Sequence, residues 1–364
     1  MTVHEITSYL EQIAPLGLQE SYDNSGLLIG SPNQKADKTL ITVDVTEEVV
    51  KEAIENNCNL IISHHPIIFK ALKKIDYQSD IGSIITKLIK ADIAVYAMHT
   101  NLDNMLDGVN GILAQKLGLS NLKILSPKKD TLNKLVVFCP TDYVNNVRQA
   151  IFNTGAGNIG NYSSCSFNSE GYGTFMALEG TNPFVGDIGK LHNEEEVKIE
   201  SIVPSYLIKQ VISAMISAHP YEEVAYDIYP LLNKQFNIGS GIIGELKQET
   251  EINEFLINVK EQLDAPYIRH SQLLEKKVKK IAICGGSGSF LIDDAYRAGA
   301  DVFITGDVKY HDFFEHKGEM TIVDAGHFET EQFTKELIYS RLMRKFPNFA
   351  LQISKARTNP IYFL

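Results

Sequence analysis

Behind Thr2 and Glu5, spaced as a T-x-x-E capping box, apolar residues recur at Ile6, Leu10 and Ile13. That pattern predicts an amphipathic helix, which Pro15 ends. After YDNSGLLIG, TLITVDV (39–45) reads as a strand, TEEVVKEAIENN (46–57) as a helix and CNLIIS (58–63) as a strand, together a βαβ unit. SDIGSIITKLIKAD (79–92) and IAVYAMH (93–99) repeat the helix and strand, so the N-terminal third is expected to be a parallel sheet covered by helices.

The same alternation returns late in the chain. KKIAICGG, DVFITGD and MTIVDAG read as strands, separated by SFLIDDAYRAGA and YHDFFEHKGE as helices. HFETEQFTKELIYSRLMRKF (327–346) follows as one long helix. The middle behaves differently: NKLVVFCP as strand, TDYVNNVRQAIFNTGAG as helix, and strand-like YSSCSFNSEGYGTFMALEG with glycines marking turns. VKIESIVP, SYLIKQVISAMISAHP and EEVAYDIYPL then read as strand, helix and strand, which completes a βαββαβ ferredoxin-like order. The expected fold class is α/β: two three-layer α/β segments, 1–130 and 233–364, packed together, with 131–232 inserted between them.

Composition adds exclusions. With 364 residues, 44% hydrophobic and 22% charged, the chain is an ordinary folded one. A net charge of -11 argues against binding duplex DNA or RNA, since the one basic cluster, EKKVKK, is short and reads as a solvated edge. Cys58, Cys139, Cys165 and Cys284 form no C-x-x-C pair, and three sit in apolar strand-like runs, so reduced thiols and a cytoplasmic location are expected. No apolar run approaches the ~18 residues of a membrane span, and the first residues lack a signal-like charged and apolar arrangement. No export and no membrane partner are therefore expected.

Ligands of open parallel sheets bind beyond the carboxyl ends of strands. Four such ends are unusually polar: Ser63, His64 and His65; His99, Thr100, Asn101 and Asp103; Asp307 and His311; and His327 and Glu331. Five of the ten histidines fall in these windows, which is more crowding than chance placement gives. Pro66 fixes the exit from the 58–63 strand, so the chain can turn and aim both adjacent imidazoles at one place. His327 and Glu331, four apart at the start of a helix, project from one face. Imidazoles with hard carboxylates suit zinc, manganese or iron. His64, His65, Asp103, His327 and Glu331 are more donors than one tetrahedral ion needs. With Asp103 or Glu331 bridging, they fit two divalent cations about 3.5–4 Å apart, an open hydrolytic-type centre.

CGGSGSF (284–290), between a strand and a helix, reads either as a tight turn or as a place where backbone N–H groups hold an anion beside the metals. Asp44 fits a strand-end cap or a pocket residue, and Asp307 and His311 fit groups that orient a ligand or water by hydrogen bonding. His219 reads as closing a helix. No Ser-His-Asp arrangement stands out.

Taken together, SHHP, HTNLDN, CGGSG, TGDVKYH and GHFETE resemble the family of dinuclear-metal hexameric proteins named after a yeast NGG-interacting factor. Its bacterial members are called GTP cyclohydrolase 1 type 2 homologues. The match spans both outer segments, and the insert, ending in HPYEEVAYDIYPL, resembles the PII- and CutA-like domain of longer bacterial members. The resemblance places the family's metal ligands on His64, His65, Asp103, His327 and Glu331, with His99 at a nearby polar position outside that set. It implies two metal ions per chain and a toroidal homohexamer, a trimer of dimers.

Two functions compete. The first is a metal-dependent hydrolase acting on a nucleotide or another small molecule, in which Glu329, His99 or His311 is the acid or base; the cyclohydrolase label itself rests on the resemblance. The alternative is a non-enzymatic ring that binds metal or a metabolite, with the insert as sensor or lid. A purely structural metal site ranks third, because five mixed donors at strand ends exceed what stapling requires.

Overall fold

The structure, a computed structural model, describes residues 1–364. It divides into two compact units, 1–127 together with 236–364, and 128–235. The pattern-based boundaries at 130/131 and 232/233 differ from these by a few residues at each end.

In the first unit the N-terminal helix is Val3–Ile13, and the Thr2–Glu5 capping box closes its start. Strands β1 (Gly26–Ile29), β2 (Lys38–Thr42), β3 (Leu60–Ser63) and β4 (Ala94–Ala97) follow, with helices Glu47–Glu55 and Asp80–Lys90 in the two βαβ crossovers. Every residue of β3 and β4 is buried, because helices cover both faces of their sheet. Ile41, Leu60, Ile62 and Tyr96 pack on one face with the N-terminal helix, and Leu40, Ile61 and Val95 pack on the other with Val49, Ile85 and Leu88.

The periodicities read above assign no element to residues 104–132 or 232–278. The structure places there a helix, Val109–Lys116, and strand β5 (Ser120–Pro127), then, beyond the insert, a long strand and the helix Ile252–Gln262.

The second unit runs β6 (Leu132–Pro140), helix Val144–Asn153, β7 (Ser166–Met176), β8 (Leu191–Pro204), helix Ile208–Ala218 and β9 (Tyr226–Pro230). Its antiparallel sheet has the order β7-β8-β6-β9, the ferredoxin-like arrangement of a βαββαβ chain. Both helices pack on one face, over Leu135, Val137, Val197 and Ile199. Gly171 and Gly173, expected at turns, lie inside β7.

The remaining strands belong to the first unit: β10 (Gly239–Thr250), β11 (Arg269–His270), β12 (Val278–Ser287), β13 (Val302–Gly306), β14 (Thr321–Asp324) and β15 (Ala350–Ile353). Two mixed sheets result, β1-β4-β3-β2-β15 and β11-β14-β13-β12-β10-β5. The two expected segments do more than pack together, because the halves exchange strands. β15, from the end of the chain, pairs in parallel with β2, while β5 pairs antiparallel with β10. The sheets are also not purely parallel, since β1 runs antiparallel to β4 and β10 to β12.

Two expected helices change. Residues 310–319 give only the five-residue 3-10 turn Tyr310–Phe314, because His316 at φ 47° and Gly318 at φ 79° leave helical space. Residues 327–346 split into His327–Glu331 and Thr334–Lys345. No helix is long and apolar enough to cross a membrane.

Glu52 secures the exchanged β15: its carboxylate accepts from Ser354 Oγ at 2.6 Å and from the Lys355 backbone N–H at 3.1 Å. Partial burial pushes its pKa up, but these bonds outweigh that and hold it below the ordinary glutamate value. Glu52→Ala should cost about 1–2 kcal/mol, a figure that already allows for partial solvent exposure. Because the folded pKa is depressed, this contribution is complete above the ordinary glutamate range and is lost as pH falls through the folded value. Denaturant melts at neutral and acidic pH should show the two proteins converging in acid; a constant gap would refute the assignment.

Pro127 is the register partner of Gly239, and the Leu231 N–H donates to the Leu132 carbonyl at 3.0 Å, so each unit receives and returns the chain at one place. Replacing 128–235 by a short Gly-rich turn should therefore leave the outer unit folded, with a cooperative thermal transition by circular dichroism. A chain without such a transition would contradict the division.

Candidate metal centre

Strand ends supply the site. Beyond β3 the backbone continues beside β2, with the His64 and His65 N–H groups donating to the Thr42 and Val43 carbonyls at 3.2 and 2.9 Å. Ser63 Oγ donates to the His65 carbonyl at 2.8 Å. The two imidazoles thus leave the strand on one side, their centroids 4.9 Å apart. Beyond β4, His99 precedes a single helical turn, Thr100–Asp103, which carries Asp103 inward. Beyond β14, Gly326 at φ 93° turns the chain into the helix that presents His327 and Glu331.

All five expected residues converge. Glu331 approaches His65 Nε2 at 2.9 Å, His327 Nε2 at 3.1 Å and His64 Nε2 at 3.6 Å, and Asp103 lies 3.7 Å from His64 Nε2. His64, His65 and His99 form one close donor group, His65, His327 and Glu331 a second, and His64, Asp103 and Glu331 a third. His99, which the resemblance puts outside the ligand set, therefore stands at the site.

Each histidine is aimed by its other nitrogen. His64 Nδ1 meets the Met98 carbonyl, His65 Nδ1 meets Asp44, His99 Nδ1 meets Asp23 and His327 Nδ1 meets Asp307, every one at 2.7 Å. A carbonyl only accepts, so His64 Nδ1 carries the proton and Nε2 faces the site with its lone pair. This carboxylate–histidine arrangement fixes ring orientation and raises donor strength in metal sites. Asp307 holds its place at φ 55°, a left-handed conformation that aspartate tolerates.

The electrostatics are those of a crowded charge cluster. Burial lowers the His64 pKa and keeps it neutral. Burial works the same way on His65 and His327, but Asp44 and Glu331 raise the first to about 10, and Glu331 and Asp307 raise the second to about 9. Burial opposes ionisation of Glu331, yet the surrounding imidazoles hold its pKa well below the ordinary value. Burial and the charge of Glu331 raise Asp103. Burial opposes ionisation of Asp23 too, and its bonds from His99 and Thr100 overcome that and keep it ionised.

His64 Nε2 and Asp103 Oδ1 are buried without hydrogen-bond partners, and Glu331 Oε2 is approached only by the inner nitrogens of His65 and His327. Buried polar atoms are rarely orphaned, and these two face the same space as Glu331. The donor set of imidazole nitrogens and carboxylate oxygens, without thiolate, fits divalent cations. Clusters of His, Asp and Glu that can bind metal ions are thus present.

The glycines at the end of β12 serve the carboxylate rather than an anion. The Gly285, Gly286 and Gly288 N–H groups donate to Asn110 Oδ1, Thr330 Oγ1 and Thr305 Oγ1 at 2.8–2.9 Å, which corrects the anion-binding alternative. Gly286 sits at φ 63°, and a Cβ there would lie 2.2 Å from Glu331 Oε1. Among the other candidates, Glu329 is buried and bonded to Asn359 at 2.9 Å. His311 is exposed beside Tyr310 and Phe314. His219 ends its helix and meets the Phe138 carbonyl. Of the three aspartates that hold an imidazole, Asp23 is the one not singled out in Sequence analysis; its signal is the polar YDNSG turn at the start of β1.

The fold and site describe a mixed α/β protein with an imidazole–carboxylate centre at strand ends. The family model Duf34/NIF3 (NGG1p interacting factor 3) matches residues 1–360, and the chain belongs to that family. It is 43% identical over 99% of its length to the Bacillus subtilis "GTP cyclohydrolase 1 type 2 homolog", of which it covers 98%. Among solved structures, a Bacillus cereus protein related to NIF3 is similar at 43% identity and TM-score 0.84, with 100% of this chain and 99% of that one covered. Staphylococcus aureus protein SA1388 is similar at 32% identity and TM-score 0.78, with the same coverage.

Gly286→Ala places a side chain in left-handed space and against Glu331. It should lower the unfolding midpoint by the equivalent of about 1–3 kcal/mol in denaturant melts. An unchanged midpoint would show that Glu331 relaxes freely and is not held by this turn.

Proposed function

We propose that the protein binds two divalent metal ions through His64, His65, Asp103, His327 and Glu331 and is a metal-dependent hydrolase of the GTP cyclohydrolase 1 type 2 homologue kind. The observation that carries this reading is the pair of orphaned buried atoms, His64 Nε2 and Asp103 Oδ1, facing the Glu331 carboxylate inside a shell of outward-anchored imidazoles. Paired divalent cations supply Lewis-acid polarisation and a nucleophile at neutral pH. The chain's own part is to hold the donors rigid, keep His64 neutral and exclude water from the floor of the site. His99 is the favoured proton-handling residue of the three considered, since its ring lies 5.3 and 5.4 Å from those of His64 and His65 while Asp23 holds its far nitrogen.

A nucleotide substrate comes from the names of the relatives, because no residue at the site reads guanine. The toroidal homohexamer, a trimer of dimers, and the cytoplasmic location belong to the same proposal; the first rests on the family, the second on four cysteines that are all free. The alternative, a regulatory ring with the insert as sensor or lid, is favoured by one observation, a cavity within residues 128–235.

Elemental analysis with anomalous diffraction on natively purified protein should find two metals per chain; one or none overturns the dinuclear reading. Asp44→Ala, which frees the His65 ring, should weaken metal affinity about 10–100-fold in chelator competition. Glu331→Ala should abolish nucleotide hydrolysis while the oligomer stays intact by light scattering, and unchanged turnover would sink the hydrolase.

A further inference from the structure

The ferredoxin-like sheet of residues 128–235 has helices on one face only. Its other face carries Gly171, Gly173 and Phe175 of β7 opposite Glu196, Glu194 and His192 of β8, since register partners share a face. The two glycines strip side chains from this face, and a Cβ on Gly173 would lie 2.1 Å from Glu196 Oε2. Glycine within a strand commonly marks a place kept open for close approach.

What it keeps open is a cavity of about 650 Å³ over the helix-free face, within the range of small-molecule sites. Segments 177–184 and 221–225 wall it in, and the Asn182 N–H donates to the Glu222 carboxylate at 3.1 Å to tie them together. Its aromatic wall is an arc: the Tyr221 ring stands 6.3 Å from Phe175 and 6.1 Å from Phe184. Tyr221 Oη donates to Glu196 Oε1 at 2.9 Å, which fixes that carboxylate and leaves Oε2 over Gly173. Glu222 and Glu223 add negative charge, and the one cationic lining residue, Lys198, is paired with Glu200 at 3.2 Å.

An aromatic arc facing an anchored carboxylate is the chemistry that recognises a positive charge on an apolar body, by cation–π attraction and a charge-assisted hydrogen bond. We propose that this cavity is a binding site for a small organic cation, an amine carried on an apolar or aromatic body. The site lies wholly within 128–235 and is separate from the proposed metal centre. It gives the sensor reading a ligand class, and it stands whether or not the centre is hydrolytic.

The test is calorimetric titration of the full-length protein, in its native oligomer, with phenethylammonium, 2-phenylethanol and 3-phenylpropionate, which share a body and differ in charge. The cation should bind about tenfold or more tightly than either other probe. Glu196→Gln should cost the cation about tenfold, and Tyr221→Phe, which keeps the ring and frees the carboxylate, a smaller loss. Unchanged circular dichroism will separate these effects from misfolding. Chelator-stripped protein should bind the cation equally well, so a failed metal centre and a failed cation site are told apart. No binding of the cation at millimolar concentration, equal binding of all three probes, or an unaffected Glu196→Gln variant would each overturn the proposal.

Discussion

The burial of the Glu331 carboxylate is the constraint on which the outer unit depends. Its side chain is only 4% exposed, and an unpaired carboxylate so placed would be strongly destabilising. It is tolerated because three imidazoles surround it, and they come from opposite ends of the chain: His64 and His65 after β3, His327 beside Glu331 itself. The site cannot form until both sequence-distant segments are in place. The charge cluster is thus also a statement about topology.

The same requirement explains local features of unlike appearance. Gly286 gives Glu331 room, and Gly306 does so for the His327 backbone, from which a Cβ would stand 2.7 Å away. The Thr330 hydroxyl receives the Gly286 N–H and so ties the glycine turn to the helix that carries the ligands. Asp44, Asp23 and Asp307, from three separate loops, each hold the far nitrogen of one imidazole. Such outward anchors orient a donor without occupying its inner nitrogen. Strand exchange serves the same end, because β15 beside β2 and β5 beside β10 keep the two halves from opening independently.

The insert follows a different logic. Its core is complete on one side of its sheet, with Val147, Ile151, Val211 and Met215 packed over the strands. Its open side is carved by glycines and lined by aromatic rings and carboxylates. Nothing in its construction needs the charge cluster of the outer unit, which agrees with a chain that enters and leaves it at one place.

Much of this was legible in the sequence. The strands TLITVDV and CNLIIS, their crossover helix, the βαββαβ order of the middle and the five polar strand-end residues all follow from local period and position, because burial on two faces imposes continuous apolar runs. Local pattern fails where the deciding partner is remote. β5, β10 and β15 are unremarkable segments that become strands because a distant neighbour pairs with them. The fates of YHDFFEHKGE and CGGSGSF turned on left-handed residues and on hydroxyl and amide partners far along the chain. The sequence by itself determined which donors existed and that they stood at strand ends. Only the tertiary structure decided that they meet around one buried carboxylate, since hydrogen-bond partners and burial are set by contacts between segments that no local period encodes.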